Sequence, residues 1–313
     1  MANAFVFPGQ GSQSVGMGRS LADAFAAARL VFEEVDDALE QNLSGLMFEG
    51  PEVDLILTEN AQPALMAVSV AIVMVLQKEF DITLADKTTL VAGHSLGEYS
   101  ALAASGALSI ADTAQLLKRR GQAMQQAVPV GEGAMAALLG LDLEAVQEVV
   151  VEAAHDEVCA CANDNAPGQV VVSGAKTAVE RAIEIAGDRG ARRAVMLPVS
   201  APFHCPLMRP AADAMAEALG VIVIRQPVVP LVTNVTAEQV IDPDAIRTCL
   251  IEQVTAMVRW RESVLYMREQ GVDTLIEVGA GRVLSGLARR IDSELTSKSI
   301  QQPDDFEAIA KNL

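Results

Sequence analysis

Short continuous apolar runs alternate along this chain with longer stretches of helical periodicity. Outside the middle of the chain, the apolar runs predict buried strands at 4–7, 89–92, 228–233 and 274–278. Helical patterns lie between and after these runs, at 21–41, 96–104, 112 to about 121, 210–219, 243–256, 260–270 and 283–290. Strands that are apolar throughout and alternate with helices predict a mainly parallel sheet with helices on both faces.

The longest apolar stretch, Ala64–Leu76, is apolar on every side of a helix and follows Gln62-Pro63. Pro63 is expected to open this helix, because proline fits a first helical turn. The all-round apolar surface predicts burial in the core, and the stretch is too short to cross a bilayer. The N-terminus lacks the basic and long apolar segments of a signal peptide. We therefore expect a soluble, cytoplasmic protein with no membrane partner.

The pattern changes between Pro129 and Pro198. Strand patterns at 134–139, 157–162, 169–173 and 192–197 combine with helix patterns at 143–154 and 176–186 in the order β-α-β-β-α-β. This order is typical of a ferredoxin-like unit. We expect residues 129–198 to form a small ferredoxin-like domain, inserted into a large α/β domain made of residues 1–128 and 199–313. The tail after Ser293 is polar and is expected to pack weakly.

Composition narrows the class of partner. The 313-residue chain is 51% hydrophobic, which is ample for a large core. Its formal net charge of −18 argues against nucleic acid and anionic membranes, so any anionic substrate must meet local positive charge. The four cysteines are too few for a disulfide framework, and Cys159-x-Cys161 has no second close pair to complete a metal site. We expect buried thiols and no metal.

The pentapeptide Gly93-His94-Ser95-Leu96-Gly97 is the strongest chemical signal. It lies between an apolar run and a helical pattern, which is the context of a nucleophile elbow. Flanking glycines permit the sharp turn, and the turn holds the serine hydroxyl outward beside a free backbone N–H. An ordinary glycine-flanked turn would show the same letters. The elbow interpretation makes Ser95 the candidate nucleophile and the large domain α/β-hydrolase-like.

A serine nucleophile needs a base, and the chain has three histidines. His94 lies inside the elbow, where it usually faces away from the substrate, and His155 ends a predicted helix, where its charge favours the helix dipole. His204 lies in the proline-rich segment 198–206, where the chain re-enters the large domain, and such junctions border clefts. His204 is therefore the predicted base. No acidic residue between Ser95 and His204 stands out, so we expect a Ser-His dyad oriented by a main-chain carbonyl or a side-chain amide.

The loop Phe7–Gln13 follows the first strand and contains Gly9-Gln10-Gly11. A dinucleotide fingerprint needs a third glycine where Ser14 stands, so nucleotide binding is disfavoured. The loop is instead expected to offer backbone N–H groups as the second arm of an oxyanion hole.

Two further segments are open to two interpretations each. Lys118-Arg119-Arg120 is predicted to end a helix, where positive charge is favourable. The functional alternative is an arginine that clamps a carboxylate in the cleft. Gly279–Arg282 is predicted to be a tight turn, with an anion site at the start of the next helix as the alternative.

Seven motifs in order resemble one enzyme family. They are Phe7-Pro8-Gly9-Gln10-Gly11-Ser12-Gln13, Gly93-His94-Ser95-Leu96-Gly97-Glu98-Tyr99, Arg120-Gly121-x-x-Met124, Asn165-Ala166-Pro167-Gly168-Gln169-Val170-Val171, His204-Cys205-Pro206-Leu207-Met208, Gln253 with Val258-Arg259-Trp260, and Glu277-Val278-Gly279. The chain resembles the malonyl-CoA:acyl-carrier-protein transacylases of bacterial fatty acid synthesis and the acyltransferase domains of polyketide and type I fatty acid synthases. The resemblance covers nearly the whole chain. One departure is Ala256-Met257, where members often carry Asn-Pro.

The resemblance implies catalytic roles for four residues. Ser95 would be the acylated nucleophile and His204 its base. The backbone N–H groups of Gln10 and Leu96 would form the oxyanion hole.

The resemblance also implies a set of substrate-binding residues, which are Arg120, Gln253, Asn165, Phe203 and His94. Arg120 is expected to bind the malonyl carboxylate, and Gln253 to orient His204 and the substrate. Asn165 is expected to line the cleft from the small domain. In synthase acyltransferases a Phe just before the catalytic histidine goes with malonyl rather than methylmalonyl, so Phe203 favours malonyl.

The implied reaction is transfer of malonyl from malonyl-CoA to the phosphopantetheine thiol of acyl carrier protein, through a malonyl-serine ester, without a cofactor. Ping-pong kinetics and a monomer are expected. The alternatives are a serine hydrolase or thioesterase, transfer of another acyl group such as methylmalonyl, and a catalytically silent binding subunit. Acyl carrier proteins are acidic, so docking is expected to use a basic patch. Its candidates are Lys176, Arg181, Arg192, Arg193, Arg259 and Arg261.

Overall fold

The apolar runs form two separate β-sheets in a computed structural model that describes residues 2–199, 201–311 and 313. Met1, Ser200 and Asn312 lie outside the described residues. The strands are β1 (Ala2–Phe7), β2 (Leu90–Gly93), β3 (Gly133–Leu139), β4 (Cys159–Ala166), β5 (Gln169–Ala175), β6 (Arg193–Met196), β7 (Leu231–Val232), β8 (Gln239–Val240), β9 (Val272–Val278) and β10 (Thr296–Ile300). The helices are α1 (Arg19–Ala24), α2 (Ala26–Leu39), α3 (Leu43–Glu49), α4 (Glu52–Leu55), α5 (Thr58–Glu79), α6 (Leu84–Lys87), α7 (Gly97–Ala104), α8 (Ile110–Gln126), α9 (Leu143–Ala154), α10 (Lys176–Asp188), α11 (Arg209–Val221), α12 (Pro243–Gln253), α13 (Trp260–Glu269), α14 (Val283–Ile291) and α15 (Pro303–Ala310).

Within the described residues, the larger sheet has six strands in the order β10-β9-β1-β2-β7-β8. Adjacent strands in it are parallel, except that β7 and β8 are antiparallel. The mainly parallel α/β arrangement expected from the sequence is confirmed. β1 and β2 lie at its centre, with Phe7 paired with Gly93 at their carboxyl ends. Because these ends meet at one edge, the loops that follow β1 and β2 lie side by side, where α/β sheets place their ligands.

The smaller sheet has four antiparallel strands in the order β4-β5-β3-β6. Together with α9 and α10 the strands follow the β-α-β-β-α-β order of a ferredoxin-like unit, as expected. Its own core includes Val146, Val149, Val172 and Val179. The exact domain limits at 129 and 198 stay a prediction.

Strand β4 also joins the smaller unit to the larger one. The Val258 N–H donates to the Ala162 carbonyl at 2.8 Å, and the Asp164 N–H donates to the Val258 carbonyl at 2.9 Å. Asp164 is 1% exposed and forms an ion pair with Arg261 at 2.8 Å. Backbone and charge contacts therefore fix one side of the small unit against the large one.

The central helix α5 begins at Thr58, so the expectation that Pro63 opens it is wrong. The turn before Pro63 is anchored by the polar residues Asn60 and Gln62, both buried and hydrogen-bonded to other elements. Proline removes one helical hydrogen bond there without ending the helix. At 22 residues α5 is long and apolar enough to cross a membrane, but 89% of its apolar window is buried inside the protein. It is the core helix of the large unit.

Two predicted helices have different limits in the structure. The predicted helix 21–41 is divided at Phe25, which is extended and separates α1 from α2. Helix α8 continues to Gln126, so Lys118-Arg119-Arg120 lies within it rather than at its end. The helix-dipole interpretation of this basic run is therefore wrong.

The tail after Ser293 packs firmly, contrary to expectation. It forms the edge strand β10 and helix α15, which places the fully buried Phe306 against Phe25 and Phe80, with ring centroids 5.2 and 5.5 Å apart. Phe306 and Ile309 form the buried face of α15, and this face fixes the helix against the large unit.

Candidate active site

The elbow at Ser95 is a strained turn between β2 and α7. Ser95 has a φ of 54°, in the left-handed region. A Cβ on Gly93 would lie 1.9 Å from Gly97 backbone atoms, and a Cβ on Gly97 would lie 2.2 Å from the Phe7 carbonyl oxygen. Only glycine fits at these two positions, so the motif is explained by close backbone approach as well as by the turn.

Asn234, in the loop after β7, holds the elbow from both sides. Its Nδ2 donates to the Gly93 carbonyl at 2.6 Å, and its Oδ1 accepts from the Ser95 N–H at 2.7 Å. Sequence reasoning missed this residue. The one available signal was a polar residue directly after an apolar strand at the sheet edge that carries the elbow.

Ser95 and His204 form a hydrogen-bonded pair. The Ser95 Oγ lies 2.8 Å from His204 Nε2, and His204 Nδ1 lies 2.9 Å from the main-chain carbonyl oxygen of Gln253. Since a carbonyl can only accept, Nδ1 carries the proton and Nε2 is free to accept the serine proton. Burial, then the Arg120 charge, lowers the pKa of His204 to about 3, so the imidazole is neutral at pH 7. The sequence predicts that either a main-chain carbonyl or a side-chain amide orients the imidazole, and the group found is the main-chain carbonyl of Gln253.

Arg120 reaches the nucleophile from α8. It is 1% exposed, and its Nη2 donates to Ser95 Oγ at 3.2 Å and to Gln253 Oε1 at 2.8 Å. Its Nη1 donates to Gln62 Oε1 at 2.9 Å, and its guanidinium lies 5.7 Å from the ring centre of Tyr99. Neither Gln62 nor Tyr99 was identified from the sequence, although Gln62 stands out as a polar residue beside the long apolar run. The guanidinium is held by neutral groups and directed at the serine.

The Gln253 side chain links these groups. Its Nε2 donates to the main-chain carbonyl of Ser95 at 3.0 Å and to Glu98 Oε2 at 2.7 Å. Burial raises the pKa of Glu98 to about 7, against hydrogen bonds from Gln253 and Asn234 and the charge of Arg120. Glu98 belongs to the motif Gly93–Tyr99, but its sequence context predicts no role for it.

Two backbone N–H groups at the cleft are free for a ligand. The loops carrying Gln10 and Leu96 both line the cleft beside Ser95. Within the described residues neither N–H has an acceptor, whereas the neighbouring Gly11 N–H donates to Gln13 Oε1 at 2.7 Å. Unpaired donors on adjacent loops are what an oxyanion site requires.

The cleft itself has a volume of about 630 Å³ and lies between the two units. Its walls are mainly apolar, with contributions from Met124, Met135 and Val199, and three polar groups, Ser95, His204 and Arg120, converge in it. An apolar cleft with a few converging polar groups is typical of a small-molecule site. The three side chains predicted to carry the chemistry therefore lie together.

Comparison with known proteins agrees with this geometry. Residues 4–299 match the family model for the acyl transferase domain. The chain belongs to this acyltransferase family. It is 45% identical over 311 residues, 99% of this chain and 96% of the relative, to the malonyl CoA-acyl carrier protein transacylase of Bacillus subtilis (strain 168).

Solved structures of other family members superpose over the full chain. The acyl-carrier-protein-S-malonyltransferase of Bartonella henselae is 52% identical with a TM-score of 0.98, covering 100% of this chain and 99% of that one. A malonyl-transacylase in complex with its type II PKS acyl-carrier protein is 42% identical with a TM-score of 0.97, covering 100% of both chains. This acyltransferase is therefore an enzyme of known fold.

Of the three remaining predicted substrate-binding residues of this acyltransferase, two line the cleft and one does not. Phe203, 8% exposed, lines the cleft directly before His204. His94 also lines the cleft, with its Nε2 2.8 Å from Asn165 Oδ1, and burial lowers its pKa. Contrary to expectation, Asn165 is not among the residues that line the cleft; it contacts His94, and Asn163 of the small unit lines the cleft instead.

Two alternative sites are accounted for by local structure. His155 is the residue that ends α9 and is not among the residues lining the cleft. At the start of α14 the carboxylate of Glu277 accepts from the Leu284 and Ser285 N–H groups at 3.0 and 2.8 Å. The anion position after Gly279–Arg282 is thus filled by the chain's own carboxylate.

The cysteines of this acyltransferase are free thiols. Burial raises the pKa of Cys159 to about 11 and of Cys161 to about 12, so both are protonated at pH 7. Within the described residues no group of three or more potential metal ligands occurs.

Proposed function

We propose that this acyltransferase moves a malonyl group from malonyl-CoA to the phosphopantetheine thiol of acyl carrier protein through an ester on Ser95. The relatives are named for this reaction, and one structural relative is in complex with an acyl-carrier protein. The observation that carries the proposal is the buried guanidinium of Arg120 3.2 Å from the Ser95 hydroxyl. A cation fixed at that distance favours an acyl group that bears its own carboxylate.

In the first half-reaction the malonyl carboxylate binds Arg120 and replaces its hydrogen bond to Ser95. His204 Nε2 accepts the serine proton as Oγ attacks the thioester carbonyl. The Gln10 and Leu96 N–H groups bind the oxyanion, each contributing about 3 kcal/mol of transition-state stabilisation. The C–S bond then breaks, and His204 returns its proton to the CoA sulfur.

The second half-reaction uses the same groups in reverse. The carrier thiol gives its proton to His204 and attacks the serine ester, and Ser95 leaves with the proton from His204. One site serves both halves, so ping-pong kinetics follow. The proposed chemistry uses no metal or redox cofactor.

The test is the acyl selectivity of Arg120→Ala. We expect acylation of Ser95 by malonyl-CoA to fall at least about 100-fold, because a charge-assisted bidentate contact is lost, while acetyl-CoA acylation is spared or improved. Intact-mass measurement of the acyl-enzyme gives both rates. Arg119→Ala is the matched control, since Arg119 is exposed and pairs with Glu217 on the surface. Equal loss for both acyl groups would show that Arg120 is only structural.

The same assay separates transfer from hydrolysis. A malonyl adduct that persists in water and is removed by a pantetheine thiol supports transfer, whereas rapid release of malonate supports a thioesterase.

Acylation by methylmalonyl-CoA tests the role of Phe203, whose ring would crowd a methyl group on the α-carbon.

We propose that the carrier protein docks near Arg192 and Arg193. The other four basic candidates are engaged with acidic partners, in the pairs Lys176–Glu180, Arg181–Glu157, Arg259–Glu262 and Arg261–Asp164. Arg192 and Arg193 are exposed and form no ion pair within the described part of the chain. Reversing both charges to Glu should slow transfer to carrier protein without changing acylation by malonyl-CoA, and Lys176→Glu is the control.

We also propose that the protein is a cytoplasmic monomer. Size-exclusion chromatography with light scattering tests the oligomeric state.

A further inference from the structure

Glu98 is a buried acid beside the nucleophile that the mechanism above does not use. It is 0% exposed, and its Oε2 accepts from Gln253 Nε2 at 2.7 Å and from the Asn234 N–H at 3.1 Å. Its Oε1 is buried and has no hydrogen-bond partner within the described residues. An ionised carboxylate with an unpartnered oxygen is costly in the core, so its charge needs a nearby cation.

That cation is Arg120, reached through the amide of Gln253. The amide oxygen accepts from Arg120 Nη2 at 2.8 Å, and the amide nitrogen donates to Glu98 at 2.7 Å. The amide dipole therefore presents its negative end to the cation and its positive end to the anion, which strengthens both hydrogen bonds. The other acceptors of the guanidinium, on Gln62 and Ser95, are neutral.

Apart from Arg120, the titratable groups named here around Glu98 are neutral near pH 7. Burial raises the pKa of Tyr99, the next residue of α7, to about 12, and it raises the pKa of Cys249 on α12. His204, which shares the Ser95 hydroxyl with Arg120, is neutral because burial lowers its pKa to about 3. Glu98, whose pKa burial raises to about 7, is the acid placed to respond to a change of charge at Arg120.

We propose that Glu98 is the resting counter-ion of Arg120 and takes up one proton from solvent when an acyl carboxylate binds that arginine. This inference rests on the proposed malonyl transfer. Two carboxylates that share one buried guanidinium repel, and the one that can accept a proton becomes neutral. The proton bonds to a Glu98 carboxylate oxygen, no covalent bond of the protein or the acyl group breaks, and the proton returns to solvent when the acyl carboxylate leaves Arg120. A neutral acyl group brings no second anion and causes no uptake.

The experiment measures proton uptake by isothermal titration calorimetry on the unreactive Ser95→Ala variant, in two buffers of different ionisation enthalpy at pH 8. Malonyl-CoA should take up about one proton more than acetyl-CoA. Acetyl-CoA is the matched ligand, because it carries the same titrating phosphates. The difference should vanish in Ser95→Ala/Glu98→Gln and persist in Ser95→Ala/Glu277→Gln, which changes a buried acid that caps α14.

Affinity provides a second measurement. In Ser95→Ala, the ratio of the dissociation constant of malonyl-CoA to that of acetyl-CoA should rise by up to about tenfold per pH unit above pH 7. In Ser95→Ala/Glu98→Gln, this ratio should not change with pH. Equal proton uptake from both ligands in Ser95→Ala would overturn the inference, even if the double variant did not fold. Extra uptake that survives Glu98→Gln would also overturn it and would place the proton on another group such as His204. Failure of malonyl-CoA to label Ser95 in the wild type would instead refute the proposed function.

Discussion

In the part of the chain that the structure describes, Ser95 forms hydrogen bonds with four side chains, and one of them, Gln253, donates to its main-chain carbonyl. His204 and Arg120 contact the hydroxyl, and Asn234 holds the turn that presents it.

The buried imidazole of His204 makes stability depend on pH. Because burial lowers the pKa of His204 to about 3, the unfolded chain protonates this imidazole more readily than the folded one. His204 therefore contributes to a loss of stability as pH falls from about 6.5 toward 3.

Asn234→Ala should slow acylation by malonyl-CoA and acetyl-CoA to a similar degree. The substitution leaves the Gly93 carbonyl and the Ser95 N–H without partners, at about 1–3 kcal/mol of stability for each buried group. Both acyl groups use the same nucleophile, so the elbow is shared. Acylation rates from intact mass, with thermal melts, check this. A selective loss of malonyl transfer, as expected for Arg120→Ala, would contradict a role confined to the turn.

The role of a single residue could be predicted from the sequence where that residue lies in a local motif. Ser95 and His204 could be named from their flanking glycines and prolines, since those letters describe backbone shape. The alternatives for Arg120 stayed open until the family resemblance was considered. Gln62 and Asn234 were missed because each acts on a partner from a distant element, at separations of 58 and 139 residues.

At the scale of elements, strong hydrophobic periodicity gave the right element types, and boundaries depended on neighbours. The strand predicted at 228–233 is reduced to β7, because Pro227 and Pro230 cannot donate to a ladder. The polar composition of the tail predicts weak packing, yet Phe306 and Ile309 of α15 are both buried.

Phe306→Ala should lower the free energy of unfolding by about 3–5 kcal/mol, the usual cost of removing a buried aromatic ring. Phe306 is 0% exposed and contacts Phe25 and Phe80. The malonyl-to-acetyl acylation ratio should not change, because these rings lie outside the cleft lining. Denaturant unfolding measures the first effect, with Glu307→Ala on the exposed face of α15 as the control. A loss below about 1 kcal/mol would restore the view of a weakly packed tail.

At the scale of the whole molecule, the cleft exists because the two units are held together on one side. Val258 pairs with β4 of the small unit, and the Asp164–Arg261 pair lies next to this contact. We expect a cleft held in this way to limit the access of water to the proposed ester on Ser95 before the second thiol arrives.

Arg261→Leu should loosen this contact. It leaves the buried carboxylate of Asp164 without its cation, at a cost of about 1–3 kcal/mol, because the Arg261 side chain is 27% exposed and the pair is only partly buried. We expect faster amide exchange at Asp164 and Val258 and a shorter lifetime of the malonyl ester in water. Hydrogen exchange and time-resolved intact mass measure these effects. Arg189→Leu is the control, because Arg189 pairs with Glu148 and Glu152 within the small unit alone. Unchanged ester lifetime would show that the contact does not control water access.

The amino-acid sequence by itself determined the two kinds of sheet, the elbow and its serine, and the histidine that faces it. These follow from local periodicity and from backbone shapes that only glycine or proline permits. Only the tertiary structure decided that Arg120 lies within a helix and points at Ser95, and that Gln253 links it to Glu98. Such contacts join side chains far apart in the chain, so packing alone determines their distances, partners and pKa values.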